Sequence, residues 1–489
     1  MKQATVPIAM TMLIVGPESA EKIFAGERAP GRPKIALGLF RRNVFNLIMM
    51  TPSFNRGMGA FLLAGLLVCQ GARAAESRPS RPELARQILQ DKRLGQVEAM
   101  SLQLLKGFNA GTSYGEIWIR DFNTFLNGSL QAHAKDDVKE RLLLFFKIQS
   151  QDGNVPDGAI KADQANVGYK YSYSDLAPGW AAHKNTVETD QESSLIQAVT
   201  KYIEATGDRS ILSEQIGGRA VIERMDAALQ YVLKNRWSEK YGLVIGATTV
   251  DWGDMQAQEG WGVAINDKTR WAIDIYDNAM FLMAINDFIS ITPGSYHSSI
   301  NWKKNASTLK KRIRQYLWDD QAQKYRPHIY LNGAPFAADF DEDKILYTGG
   351  STCAILAGLN SRREIANINQ QFVTAAAREK HATIGMTVYP PYPLAAFPDV
   401  PPYTYQNGGD WAWFGGRMIQ ALVANGFEQE AYSEIDPMIE RVIKDNGFFE
   451  WYDVKTGEPK GSGDFRGAAG VLYDAVEQLR AWAKRNSVK

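Results

Sequence analysis

From Pro82 onward the chain alternates between two kinds of helix-period apolar segment, and this alternation narrows the possible folds more than any other feature. One kind is highly charged with a single apolar stripe, as in "DDVKERLLLFFKIQS", "RAVIERMDAALQYVLK", "NWKKNASTLKKRIRQYLW", "SRREIANINQQFVTAAAREK" and "FEQEAYSEIDPMIERVIK". Such helices have one wet face. The other kind has fewer charges and more Gly, Ala and Ser, as in "DFNTFLNGSLQAHA", "QESSLIQAVTKYIEA", "AIDIYDNAMFLMAINDF", "ILYTGGSTCAILAGL" and "QNGGDWAWFGGRMIQALVANG". Small residues let neighbours approach from several sides, which places these segments in an inner layer. About twelve such segments in alternation describe an all-α fold, an (α/α)6 toroid of six helical hairpins in two concentric rings. A helical-repeat superhelix shares the alternation, but its repeats are about 30 to 50 residues long; the long connections here space the inner segments more widely.

Residues 1–74 contribute nothing to that pattern. Arg56, the apolar run "MGAFLLAGLLV" and Ala72-Arg73-Ala74 form a basic flank, a short hydrophobic region and a cleavage pattern, which reads as a secretory signal peptide preceded by an upstream extension. The expected product is a single catalytic domain over 75–489, periplasmic or secreted, with no stable membrane anchor. Of the two cysteines, Cys69 would leave with the signal and Cys353 would remain, which excludes an intramolecular disulfide and any cysteine-based metal site.

The unusual residues cluster just before the inner segments, in "YGEIWIRDF", "HKNTVETDQESS", "VDWGDMQ", "PPYTYQNGGDW" and "FFEWYD". If the inner helices are parallel, these loops share one mouth. Taken singly, each has a plain structural reading: Asp190 is a good helix N-cap, Asp251 and Asp254 suit a turn, and "DFDEDK" (339–344) suits a solvated acidic turn. Taken together, carboxylates, amides, Trp and Tyr at one mouth suit a small neutral carbohydrate and supply the two carboxyl groups that glycoside hydrolysis needs. The net charge of +1 gives no indication of a nucleic-acid partner. No metal or other cofactor is expected, and the five histidines sit in no nucleophile-elbow context. Another sugar-active enzyme of this fold, an epimerase or a lyase, and a non-catalytic carbohydrate-binding protein stay open as alternatives.

Four motifs resemble the neutral/alkaline invertases of glycoside hydrolase family 100: "WIRDF" at Trp118–Phe122, Asp190 upstream of Thr206-Gly207-Asp208, "YQNGGDW" at Tyr405–Trp411, and "FFEWYD" around Glu450. The ending "EWYDVKTGEP" also resembles family 63, which includes α-glucosidases and hydrolases of glucosylated glycerate. Both are (α/α)6 glycosidases, and the resemblance implies an inverting, exo-acting hydrolase of short α-glycosides. It makes Asp190 the general acid, with Glu192 as its alternative, and Glu450 the general base. Trp118, Arg120, Asp121, Asp251, Trp252, Gln406, Asn407, Trp411 and Trp451 become candidates for holding the sugar. One tension accompanies Asp190: a helix N-terminus stabilises the anion, so burial or a neighbouring charge, from Glu188 or Glu192, must raise its pKa.

Overall fold

The computed structural model describes residues 79–165, 169–258 and 262–487, all within one compact unit, Glu76–Lys489. The signal-peptide reading lies outside these residues. No described helix is long and apolar enough to cross a membrane.

Thirteen helices are described. They are α1 (Arg81–Gln90), α2 (Lys92–Leu104), α3 (Ile119–Ala132), α4 (Lys135–Ile148), α5 (Gln191–Thr206), α6 (Val221–Asn235), α7 (Ile275–Ile291), α8 (Trp302–Leu317), α9 (Thr348–Leu356), α10 (Arg362–Glu379), α11 (Ala412–Ala424), α12 (Glu428–Lys444) and α13 (Arg466–Asn486). Asp91 divides the first outer helix: it ends α1 and caps α2 by accepting from the Arg93 N–H. With α1 and α2 counted as one, twelve remain, in the alternation expected. The inner helices α3, α5, α7, α9, α11 and α13 pack in that order, and α13 closes onto α3.

The two helix classes are built differently. Outer helices carry conventional start signals, such as the Ser361–Glu364 capping box of α10 and the Asn301 cap of α8. Inner helices are buried nearly all round and depend on small residues for close approach. A side chain at Gly470 of α13 would collide with the Phe125 backbone of α3, so the ring closes only because glycine stands there. Phe122 and Phe125 are fully buried at the same seam, each contributing roughly 1.5–3 kcal/mol.

On the barrel axis lies a cavity of about 160 Å³, lined from all six inner helices and including Asn123, Lys201, Cys353, Arg417 and Asp474. The loops before the inner helices are stapled by short antiparallel ladders. Ile117–Trp118 pairs with Gly158–Lys161, which pairs in turn with Trp180–His183, and Leu346–Tyr347 pairs with Val388–Tyr389. Trp451–Tyr452 pairs with Pro459–Lys460, while Asp410 and Tyr452 exchange backbone hydrogen bonds. That exchange joins the loop before α11 to the strand beside Glu450. The "DFDEDK" turn is less solvated than its composition suggests, because Glu342 accepts from His328, Tyr330 and Tyr392.

Candidate active site

Two groups of buried acids lie among the pre-helix loops, and the charge of each bears on Asp121. The first is centred on Arg120, in the opening turn of α3. Its guanidinium Nε lies 2.8 Å from Glu188 Oε2, 3.4 Å from Asp157 Oδ1 and 4.0 Å from Asp190 Oδ1, and every partner is buried. Asp190 stands at the N-cap of α5, yet its side chain caps nothing; Oδ2 instead accepts from the Tyr276 hydroxyl at 2.9 Å. Burial therefore outweighs the helix dipole, and the Asp190 carboxyl is pushed up to about 6, against the opposing charge of Arg120. Glu188 is also driven well above the usual carboxylate range, chiefly by burial and despite Arg120.

The second group holds Glu450, which is 4% exposed. Oε2 accepts from the Ser462 N–H at 2.7 Å, and Oε1 accepts from the hydroxyls of Tyr114 at 2.8 Å and Tyr405 at 3.3 Å. Burial raises its pKa, and these three donors oppose the rise. The rings that position the acid thus come from distant segments. Of those beside it in sequence, Phe448 enters the core and Tyr452 lies beneath the Arg441 guanidinium, 3.6 Å from its ring centre. Gly461 is needed here in two respects: its φ is +69°, and a Cβ would run into the Glu450 carboxylate.

Asp121 lies between the groups and senses both Asp157 and Glu450; burial pushes its carboxyl up to about 7. Asp254 is the partly exposed acid of the constellation. It accepts from the Gln406 amide at 2.7 Å, and its charge bears on Glu188 on one side and Glu450 on the other. Tyr114, Trp118, Tyr405 and Trp451 form the half-exposed aromatic rim. Several buried polar atoms have no partner: Trp118 Nε1, Asp121 Oδ1, His183 Nδ1, Glu188 Oε1, Asp190 Oδ1 and Trp252 Nε1. Buried polar groups are normally satisfied, so orphans this concentrated mark a place that a polar ligand completes.

The structure brings Trp118, Arg120, Asp121, Asp190, Trp252, Gln406, Glu450 and Trp451 into this region, while four other candidates are turned to structural tasks. Both oxygens of Asp251 accept from the N–H groups of Gly349 and Gly350, at 2.6 and 2.8 Å, anchoring the start of α9. The Asn407 amide is fully used on the backbone of Tyr392 and Val400. Trp411 has no exposed surface, being enclosed by Trp252, Trp413, Phe414 and Phe465. Glu192, the alternative acid, binds Lys184 at 2.8 Å and the Val155 N–H at 2.9 Å, so it is committed to holding its loop. Sequence reasoning missed Tyr114, Asp157, Tyr276 and Tyr405 as partners of the acids and read Asp254 as a turn residue. The "YGEIWIRDF" and "YQNGGDW" loops did contain two of these tyrosines.

A family model, the glycosyl hydrolase 94 superfamily catalytic domain, matches residues 107–423; Glu450 lies beyond the matched span. Among solved structures, a GH63 mannosylglycerate hydrolase from Thermus thermophilus, in complex with Tris and D-glycerate, is 15% identical. Its TM-score is 0.57, with 77% of this chain and 99% of that one covered. A rhamnosidase from Klebsiella oxytoca with rhamnose bound is 14% identical, with a TM-score of 0.51 and coverage of 79% and 63%. A GH78 rhamnosidase of a Bacillus species is 15% identical, with a TM-score of 0.53 and coverage of 78% and 34%. These likenesses are of fold, that of the six-hairpin glycosidases. No curated protein matches the chain.

Proposed function

The chain belongs to the glycosyl hydrolase 94 superfamily through its catalytic domain, and on that premise we propose that it is an exported, inverting, exo-acting hydrolase of short α-glycosides, α-glucosides first among them. The observation that supports this reading best is the presence, in one site, of two separately held carboxyl groups whose pKa values are both raised, Asp190 and Glu450. Asp190, near 6 and hydrogen-bonded to Tyr276, would protonate the glycosidic oxygen. Glu450, steered by Tyr114, Tyr405 and Ser462, would take a proton from the attacking water on the opposite face. An inverting pair stands about 6.5–9.5 Å apart to admit that water. Asp121, Trp118, Trp252 and Trp451 would hold the glycone, with the unpartnered atoms meeting its hydroxyls.

A second assignment of the acid has an observation in its favour. Asp190 is 1% exposed, whereas Asp254 is partly exposed and within electrostatic reach of Glu450, as a donor to an incoming glycosidic oxygen should be. The experiment is a panel of α-glucosides, sucrose, trehalose, glucosylglycerate, α-mannosides and α-rhamnosides, with the product anomer followed by NMR. It is repeated for Asp190→Asn and Asp254→Asn with a glycosyl fluoride, whose leaving group needs no acid. The acid is the residue whose loss, of about 10²–10⁴-fold on ordinary glycosides, disappears with the fluoride. A retained anomer would overturn the inverting mechanism.

A further inference from the structure

The charges around the outer part of the site are lopsided. The cations in its wall are committed: Arg120 to Glu188 and Asp157, and Lys184 to Glu192 and the Val155 carbonyl. Beside the site are two carboxylates that have no ion-pair partner among the described residues, Glu116, which is 3% exposed, and Asp254, which is partly exposed. Glu116 accepts from the Tyr171 hydroxyl at 3.3 Å, and Asp254 accepts from the neutral Gln406 amide. Next to Glu116 is an aromatic platform. The exposed Tyr169 ring stacks on His183 at 4.2 Å, and Tyr171 meets the same imidazole edge-on at 5.9 Å. Lys170, between them in sequence, is exposed.

Burial keeps His183 neutral by lowering its pKa. Its Nε2 lies 3.8 Å from Asp157, and its buried Nδ1 has no partner. Burial pushes the Tyr169 hydroxyl up to about 12, and the charges of Glu116 and Asp254 add to the rise, so both acids bear on the platform. The unpartnered Nδ1 of His183, on the platform itself, is the atom that a ligand donor would meet; a carboxylate or phosphate brings only acceptors.

We infer that the platform formed by Tyr169, Tyr171 and His183, flanked by Glu116 and Asp254, is an aglycone subsite for a protonated amine and that it turns away anionic aglycones. An ammonium group is drawn both to aromatic faces and to unpaired carboxylates, and like-charge juxtaposition penalises an acid. This inference rests on the glycoside-hydrolase reading above and names the substrate class for it. The test is calorimetric titration of the Glu450→Gln enzyme, which holds glycosides without turning them over. The ligands are 2-aminoethyl, 2-hydroxyethyl and carboxymethyl α-glycosides of glucose, mannose and rhamnose. On the glycone that binds, the aminoethyl compound is expected to bind at least about tenfold tighter than the carboxymethyl one. That gap narrows at about 0.5 M salt, where screening is strong, and narrows again when Glu116→Gln is added. Equal affinities, or tighter binding of the carboxymethyl compound, overturn this inference alone. Binding by none of the compounds overturns the sugar-site reading beneath it.

Discussion

Replacing Arg120 by Met removes the guanidinium that ion-pairs with Asp157, Glu188 and Asp190 while keeping the apolar stem. The three acids are 1–5% exposed, so water cannot take over from the lost cation. Removing one partner of a buried ion pair costs about 3–5 kcal/mol. For a domain of about 400 residues the unfolding entropy at the midpoint is roughly 0.9 kcal/mol/K at ~2.1 cal/mol/K per residue. The melting midpoint should therefore fall by about 3–6 °C at pH 8. The loss should also depend on pH, with a definite sign. Without Arg120 the folded-state pKa values of Glu188 and Asp190 rise further above their unfolded values. The folded protein then binds more protons than the unfolded chain, and stability is regained as pH falls through those values. Calorimetry of wild type and Arg120→Met at pH 8 and pH 5 checks this. The gap should be large at pH 8 and at least halved at pH 5. A gap under about 1 °C at pH 8, or one that does not change with pH, would refute the account of Arg120 as the charge balance of a buried acid cluster.

Glu450→Gln keeps a side chain that can still accept from the Ser462 N–H, so circular dichroism should be unchanged while kcat falls about 10²–10⁴-fold, as expected for loss of a general base. The pH profile of kcat/KM should fall about tenfold per unit above pH about 6, because Asp190, near 6, has to be protonated to act; Asp190→Asn should abolish that alkaline limb. Gly461→Ala forces a side chain against the Glu450 carboxylate at a left-handed φ, and should cut kcat at least about tenfold while KM for a good substrate stays within a factor of two or so. Asn407→Ala gives up three hydrogen bonds to the loop backbone at about 1 kcal/mol each; it should lower the melting midpoint by about 3 °C, whereas a sugar-binding asparagine would change KM and leave the midpoint alone.

The ring architecture was legible because its cause is local. Charge density and small-residue content along each segment state whether a helix faces water or other helices, and all ten segments quoted above fall in the ring expected of them. The site was legible only in part, for a reason that separates Glu450 from Asn407. A motif shows which residue types a loop carries, but not whether a side chain turns toward the opening or back onto its own loop. Asp251 and Asn407 were spent on backbone groups that any ordered loop must satisfy, and nothing in one sequence records that expenditure. The partners of Glu450 were hidden differently. Tyr114 is 336 residues away in the chain, and only ring closure makes them neighbours.

That closure has a consequence for when the protein becomes competent. Asp121 rides on α3, the first inner helix, and Glu450 precedes α13, the last, so these two acids sit on either side of a single seam. Near the same seam, Arg81 of α1 reaches the Trp482 ring and Asn486 at the end of α13. A nascent chain can therefore form five hairpins and still lack Glu450. The last hairpin works as a keystone, and its docking completes the carboxyl constellation. A chain reopened by circular permutation between two middle hairpins, with residues 81 and 486 joined by a short linker, would keep that seam intact and move the final assembly step elsewhere around the circle.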